Sequence, residues 1–190
     1  RGVRAGESIT TGGDLEAKAG LYCDGVVNVG GDLRAGWSVT TTGALRVGGV
    51  ARVHRDVHCD AGVDVADDLL IGEALAARGN VRCGKGLRAG GEIIGEGSIV
   101  TGHGILAGAD LRADTHLEAG WGIKAGGDIE TGGAIRAGEG VEAGGAIVAG
   151  PGYGIHAGLN VRMDDWPASA CIRAAQQPSR LISGYWAEAA

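Results

Sequence analysis

The stretch Ile123-Lys124-Ala125-Gly126-Gly127-Asp128-Ile129-Glu130-Thr131-Gly132-Gly133-Ala134-Ile135-Arg136-Ala137-Gly138 shows the rule that organises the whole chain. An aliphatic residue is followed by a polar one and a small one, then by three residues rich in glycine, and the pattern repeats every six positions. Counting outward by sixes from Val3 to Ile147 gives 25 slots, of which 24 hold Val, Leu or Ile; Ala51 is the exception. Two residues after each slot stands a compact side chain, as in Ala5, Thr11, Cys23, Val29 and Ala125. Period-2 alternation over three residues describes a very short strand with its first and third side chains inward and its second outward. The other three positions of each hexad hold 34 of the 39 glycines, whereas the strand triplets hold one, Gly95. Glycine therefore marks turns, where positive φ and tight corners cost it nothing sterically.

A three-residue strand does not persist alone. It must pair with its copies one coil above and one coil below, which makes the chain a β-solenoid. Stacked residues in neighbouring coils sit about 4.8 Å apart, so like charges there repel, and the outward residues discriminate between two hexads per coil and three. At a spacing of twelve, Arg34 meets Arg46, Arg112 meets Lys124, Lys124 meets Arg136, and Glu118 meets Glu130. At eighteen, Glu16 meets Arg34, Arg46 meets Asp64, Asp64 meets Arg82, Arg112 meets Glu130, Glu118 meets Arg136, and Lys124 meets Glu142; only Arg34 over Arg52 is alike. The same spacing sets Trp37 beside Arg55 and His103 beside Trp121 as candidate stacking pairs. The expected fold is all-β: a three-sided parallel β-helix with 18 residues per coil, a solenoid over residues 1–162, and an irregular aromatic cap over residues 163–190. In the cap, Ile172-Arg173-Ala174 is a candidate last strand. Through Gly150-Pro151-Gly152-Tyr153 the period slips by two, and it is expected to resume at Ile155 and Val161.

At one-fifth glycine, with no Phe, the chain of 190 residues cannot build an ordinary globular core. Glycine has no three-residue period, which removes collagen, and 44% hydrophobic content removes a disordered linker. Apolar runs are far shorter than the roughly 20 residues of a membrane-spanning helix. A net charge of −6 argues against nucleic acid or an anionic membrane as the main partner. The four cysteines, Cys23, Cys59, Cys83 and Cys171, lack metal-binding or disulfide spacing, which points to a reducing, cytoplasmic setting. Arg1 already lies inside a repeat, so the native chain is expected to extend toward the N-terminus.

On these residues the chain resembles the hexapeptide-repeat, triangular β-helix proteins over residues 1 to about 162. The best-known of those are acyltransferases, usually trimeric, with a histidine as general base and CoA thioesters as donors. Their repeat sets the small residue two positions before the aliphatic one, the reverse of Ile123-Lys124-Ala125-Gly126. The aliphatic-polar-small order is similar to bacterial Ile-Lys-Ala-Gly-type repeat proteins and, more loosely, to bactofilins, which polymerise end to end.

Several side chains are candidates for function. Leu70, Ile94, Val100 and Leu106 take the outward position where Arg, Lys, Glu or Thr usually sits, and the last three nearly encircle one coil; clustered outward aliphatics mark an interface with a partner or with another copy. His103, projecting from a turn beside Lys85 and Trp121, is the candidate general base if the protein is an acyltransferase. His54, His58 and Cys59 lie close in sequence, but turn, outward and inward positions keep them from converging on a metal. Thr11, Thr41, Thr101 and Thr131 occupy inward slots, which argues against an ice-binding threonine face. Catalytic solenoids need loops or a trimer cleft to enclose substrate, and none interrupts the first 150 residues. The sequence thus reads as a non-enzymatic scaffold that binds a protein partner or itself, without cofactor or metal. A toxin neutralised by the scaffold would be one such partner; a CoA-dependent acyltransferase and a bactofilin-like assembling protein are the alternatives.

Overall fold

A computed structural model describes residues 2–189. Every hexad from Val3–Ala5 to Val141–Ala143 forms a three-residue strand, and those as far as Ile129–Thr131 pair in parallel with the strand eighteen residues on, as Val3 does with Leu21 and Leu111 with Ile129, whereas Ile135 pairs with Ile155 and Val141 with Ile172. The result is three parallel sheets of nine, ten and ten strands, one on each side of the coil. The aliphatic slot is buried in nearly every rung, and a single core runs from Ala17 to Ala174. Ala51 is fully buried within it, and the small slot of the same strand holds Val53, so side-chain volume is redistributed inside the rung rather than lost. Where the small slot is empty, at Gly95, Ile99 leans toward the vacant space: a Cβ on Gly95 would lie 3.1 Å from its Cγ1.

The turns depart from expectation. Among the described residues, positive φ occurs only at Gly152, Gly158 and Gly184, all outside the regular coils. Repeat glycines are required for a different reason, which is close stacking. In the column Gly90, Gly108, Gly126 and Gly144, a Cβ would run into the carbonyl oxygen of the glycine one coil below. Glycine here lets successive turns approach as closely as the strand ladder demands.

Corner side chains close the remaining backbone bonds. The residue before a strand has its N–H directed at the coil below, and Asp, Asn, Ser or His at the equivalent corner accepts it. Asp14 Oδ1 takes the Asp32 N–H at 2.8 Å, Asp110 Oδ1 the Asp128 N–H at 3.0 Å, Asp128 Oδ1 the Ala146 N–H at 2.7 Å, and Asn80 Oδ1 the Ser98 N–H at 2.9 Å. A charged acceptor on an otherwise unmatched donor stabilises more than an exposed ion pair does. Asp128→Ala should therefore lower the unfolding free energy by about 1–2 kcal/mol. Urea denaturation followed by circular dichroism measures this, with Glu118→Ala, an exposed residue without such a bond, expected to stay within about 0.5 kcal/mol of the parent.

Outward charge ladders follow the register but form contacts selectively. Arg112 Nε reaches Glu130 Oε2 at 3.2 Å and Lys124 Nζ reaches Glu142 Oε1 at 2.8 Å. Glu16 and Arg34 are adjacent in register, yet the Arg34 guanidinium turns to Asp32, 3.1 Å away at the preceding corner. Arg55 pairs with Glu73 at 3.1 Å, so its guanidinium is engaged by a carboxylate one coil on, in the direction away from Trp37.

Strands continue past residue 162. Gly158 turns the chain out of the second sheet, and residues 159–170, including a short helix at Trp166–Ser169, run outside the regular coil. Val161 lies in a bend; the third-sheet rung it was expected to supply is formed by Cys171–Ala174, with Ile172 opposite Val141. Leu181–Ser183 then extends the second sheet and Tyr185–Glu188 the third, where Trp186 sits opposite Ile172 and its indole N–H donates to the Ala174 carbonyl at 3.3 Å. Among the described residues no helix is long and apolar enough to cross a membrane.

Candidate functional site

The four outward aliphatics do not form one patch. Ile94 is on the first sheet, Val100 on the second, and Leu70 and Leu106 on the third, two rungs apart with Arg88 between them. Each is half-buried rather than fully exposed. Their register neighbours explain this: Leu70 lies between Arg52 and Arg88, Ile94 beside Arg112, Val100 between Arg82 and Glu118, and Leu106 between Arg88 and Lys124. Long charged side chains shield adjacent apolar surface with their methylene stems.

His103 stacks face to face on Trp121, with ring centroids 4.1 Å apart and planes 7° from parallel. Its carbonyl accepts a hydrogen bond from Thr101 Oγ1 at 2.8 Å, and the neighbouring Lys85 ammonium is held by Asp67 at 2.8 Å. Among the described residues neither ring nitrogen of His103 has a hydrogen-bond partner, so its orientation rests on the tryptophan rather than on a carboxylate. His58 points outward to Asp60 at 3.3 Å while Cys59 is fully buried and directed at the Gly43 carbonyl, so the two side chains diverge. All four cysteines are buried and unpaired. Burial pushes the Cys59 thiol up and the Cys83 thiol up to about 12, which suits structural, unreactive sulfur. Thr41, Thr101 and Thr131 are buried inward, with Thr41 Oγ1 donating to the Gly25 carbonyl and Thr131 Oγ1 to that of Thr115.

A concavity lies on the third face. An open trough of about 750 Å³ runs along it from the rung at Leu15–Ala17 to that at Leu87–Ala89. One wall is the outward column Glu16, Arg34, Arg52, Leu70 and Arg88; the other is the following turn, where Lys18 and His54 alternate with Gly36 and Gly72. The strand backbone at Ala17, Ala35, Val53 and Ile71, whose side chains turn into the core, forms the floor. The trough exists because Gly36 and Gly72 leave gaps in the second wall. Arg34 and Arg52 sit directly opposite each other in register, and Asp32 reaches both, at 3.1 and 3.8 Å. Among the described residues Arg88 and Lys18 have no ion-pair partner.

Of the candidate residues that the pattern singles out, Leu70 and His54 belong to this trough. The basic column around Leu70 carries a sequence signal: Arg34 over Arg52 is the one like-signed pair at a spacing of eighteen. Comparison with family models, with curated proteins and with solved structures gives no match.

Proposed function

We propose that the protein is a non-enzymatic β-solenoid scaffold that binds a protein partner along its third face. The observation that carries this reading is the trough itself. It is open along its length, has a floor of strand backbone between two side-chain walls, and is held on five consecutive rungs of a continuous parallel ladder. A surface of that kind is pre-organised, so little ordering entropy is lost on association. Uninterrupted coils supply no loop to fold over a small substrate and exclude water from it. A toxin or another soluble protein with an exposed segment is the kind of partner this surface suits.

The test is site-specific cross-linking. A photoreactive side chain at Leu70 should capture one partner protein from extracts of the native host, and the same group at Asn28 on the second face should not. The purified partner should then bind the parent and lose affinity for Leu70→Asp. Adducts only between copies of this chain would replace the reading with bactofilin-like assembly. Acetyl-CoA turnover abolished by His103→Ala would replace it with acyltransfer.

A further inference from the structure

We infer that the trough on the third face takes an extended acidic segment of a partner polypeptide, lying parallel to the solenoid axis. The inference rests on the scaffold reading above and adds the chemistry and shape of what is bound. Charge is the first argument. Lys18, Arg34, Arg52 and Arg88 converge on one strip of a protein whose net charge is −6, and the carboxylates among them, Glu16 at one end and Asp32 at the corner, are fewer than the cations. Adjacent arginines in register repel, and Asp32 relieves this for Arg34 at 3.1 Å more fully than for Arg52 at 3.8 Å. An incoming carboxylate that bridges Arg52 and Arg88 across Leu70 would relieve the rest and gain charge-assisted hydrogen bonds.

Width is the second argument, and it separates a single extended chain from a broader anion. The strip is bounded at one corner by Asp14, Asp32 and Asp68, whose carboxylates accept backbone N–H groups of the next coil, and beyond the opposite wall by the Arg55 to Glu73 pair. A duplex or a membrane surface laid on this face would confront those carboxylates. One extended backbone would meet fewer of them, chiefly Asp32, which lies 3.1 and 3.8 Å from Arg34 and Arg52. Length agrees as well: five rungs about 4.8 Å apart span about 19 Å, which about six extended residues cover. Leu70, the aliphatic side chain of the first wall, offers an apolar contact between the cations, so a segment carrying aliphatic as well as acidic residues matches the strip.

A fluorescein-labelled ten-residue peptide of alternating glutamate and leucine, titrated with the full chain and read by fluorescence anisotropy, tests this. The peptide should bind, weaken as salt rises, and lose about tenfold or more in affinity for the double variant Arg52→Glu with Arg88→Glu. Arg136→Glu on the second face should leave binding unchanged, and melting by circular dichroism should show the variants folded. The inference is overturned if the lysine-for-glutamate peptide binds as well as the acidic one, if a ten-nucleotide DNA strand binds more tightly, if the acidic peptide does not bind, or if the double variant retains its affinity. Should any of these occur while the Leu70 cross-linker still captures its partner, the acidic-segment inference falls and the scaffold reading stands.

Discussion

Leu111→Ala should lower the unfolding free energy by about 4 kcal/mol, and Leu111→Asp should leave the middle of the solenoid unfolded at room temperature. Leu111 is completely buried between Ile93 and Ile129, its register neighbours in the coils on either side. A truncated side chain in a compact domain is partly compensated by inward collapse of its surroundings. Here collapse is resisted, because the rung spacing is set by backbone hydrogen bonds on both sides: the Leu111 N–H donates to the Asp128 carbonyl at 2.9 Å and the Asp114 N–H to that of Gly95 at 3.0 Å. The cavity should therefore remain open, placing the cost toward the upper part of the usual range of about 2–5 kcal/mol. Aspartate adds a carboxylate in a core where, among the described residues, the buried polar side chains are threonine hydroxyls that bond to turn carbonyls. That penalty approaches the whole stability of a domain, about 5–15 kcal/mol. Arg112, the next residue, points outward to Asp110 and Glu130, and Arg112→Ala should cost less than about 1 kcal/mol. Urea titrations of the three variants decide the matter. Equal losses for Leu111→Ala and Arg112→Ala would show that the inward and outward alternation does not carry the stability.

The same alternation explains why so much of the fold was legible. A strand three residues long has one aliphatic slot, and a six-residue period repeated from Val3 to Ile147 leaves no second register that buries those slots together. Opposite charges at a spacing of eighteen identified three sides per coil, although only the Arg112 to Glu130 and Lys124 to Glu142 pairs close to ion-pair distance among those named for it. The agreement is physical: charge repulsion constrains which residues may stack even where attraction is too weak to hold two exposed side chains together. Less was legible wherever the cause lay between coils rather than within a hexad. Aspartate in the residue before a strand, as at Asp14, Asp32, Asp110 and Asp128, acts on a backbone donor eighteen residues later, and its role emerges only once coils are stacked. Glycine in the turns suggests positive φ or tight corners, but the constraint in its columns is the carbonyl of the turn below. The trough was hidden for the same reason. Its walls come from five coils, and the residue type that opens it, glycine at positions 36 and 72, is the commonest in the chain.

The C-terminal segment departs most from the period, and it turns on Gly158. Gly158→Val should destabilise the last rungs by about 2–5 kcal/mol, combining the cost of a left-handed β-branched residue with that of overpacking. Gly158 has φ 71, and a Cβ there would press on Ala170 and lie 2.6 Å from Trp166 Nε1. Its N–H is also fixed, donating to the Glu139 carbonyl at 3.0 Å, so the residue cannot move away without leaving the ladder. Displacing residues 159–170 would withdraw Cys171–Ala174 from its place over Val141–Ala143, and with it the Tyr185–Glu188 strand stacked upon it. Val141, Ile155 and Ile172, all buried in the parent, would then be exposed at the end of the core. Hydrogen exchange measured by mass spectrometry should show amides of Cys171–Ala174 and Tyr185–Glu188 losing protection in Gly158→Val while Leu75–Ala77 and Ile93–Gly95 keep theirs. Local loss of this kind is what a solenoid permits, since each rung contacts only its neighbours. Uniform loss along the chain would mean that the terminal rungs and the central coils unfold as one unit. Unchanged protection at Cys171–Ala174 would mean that the turn at Gly158 does not hold that rung in place.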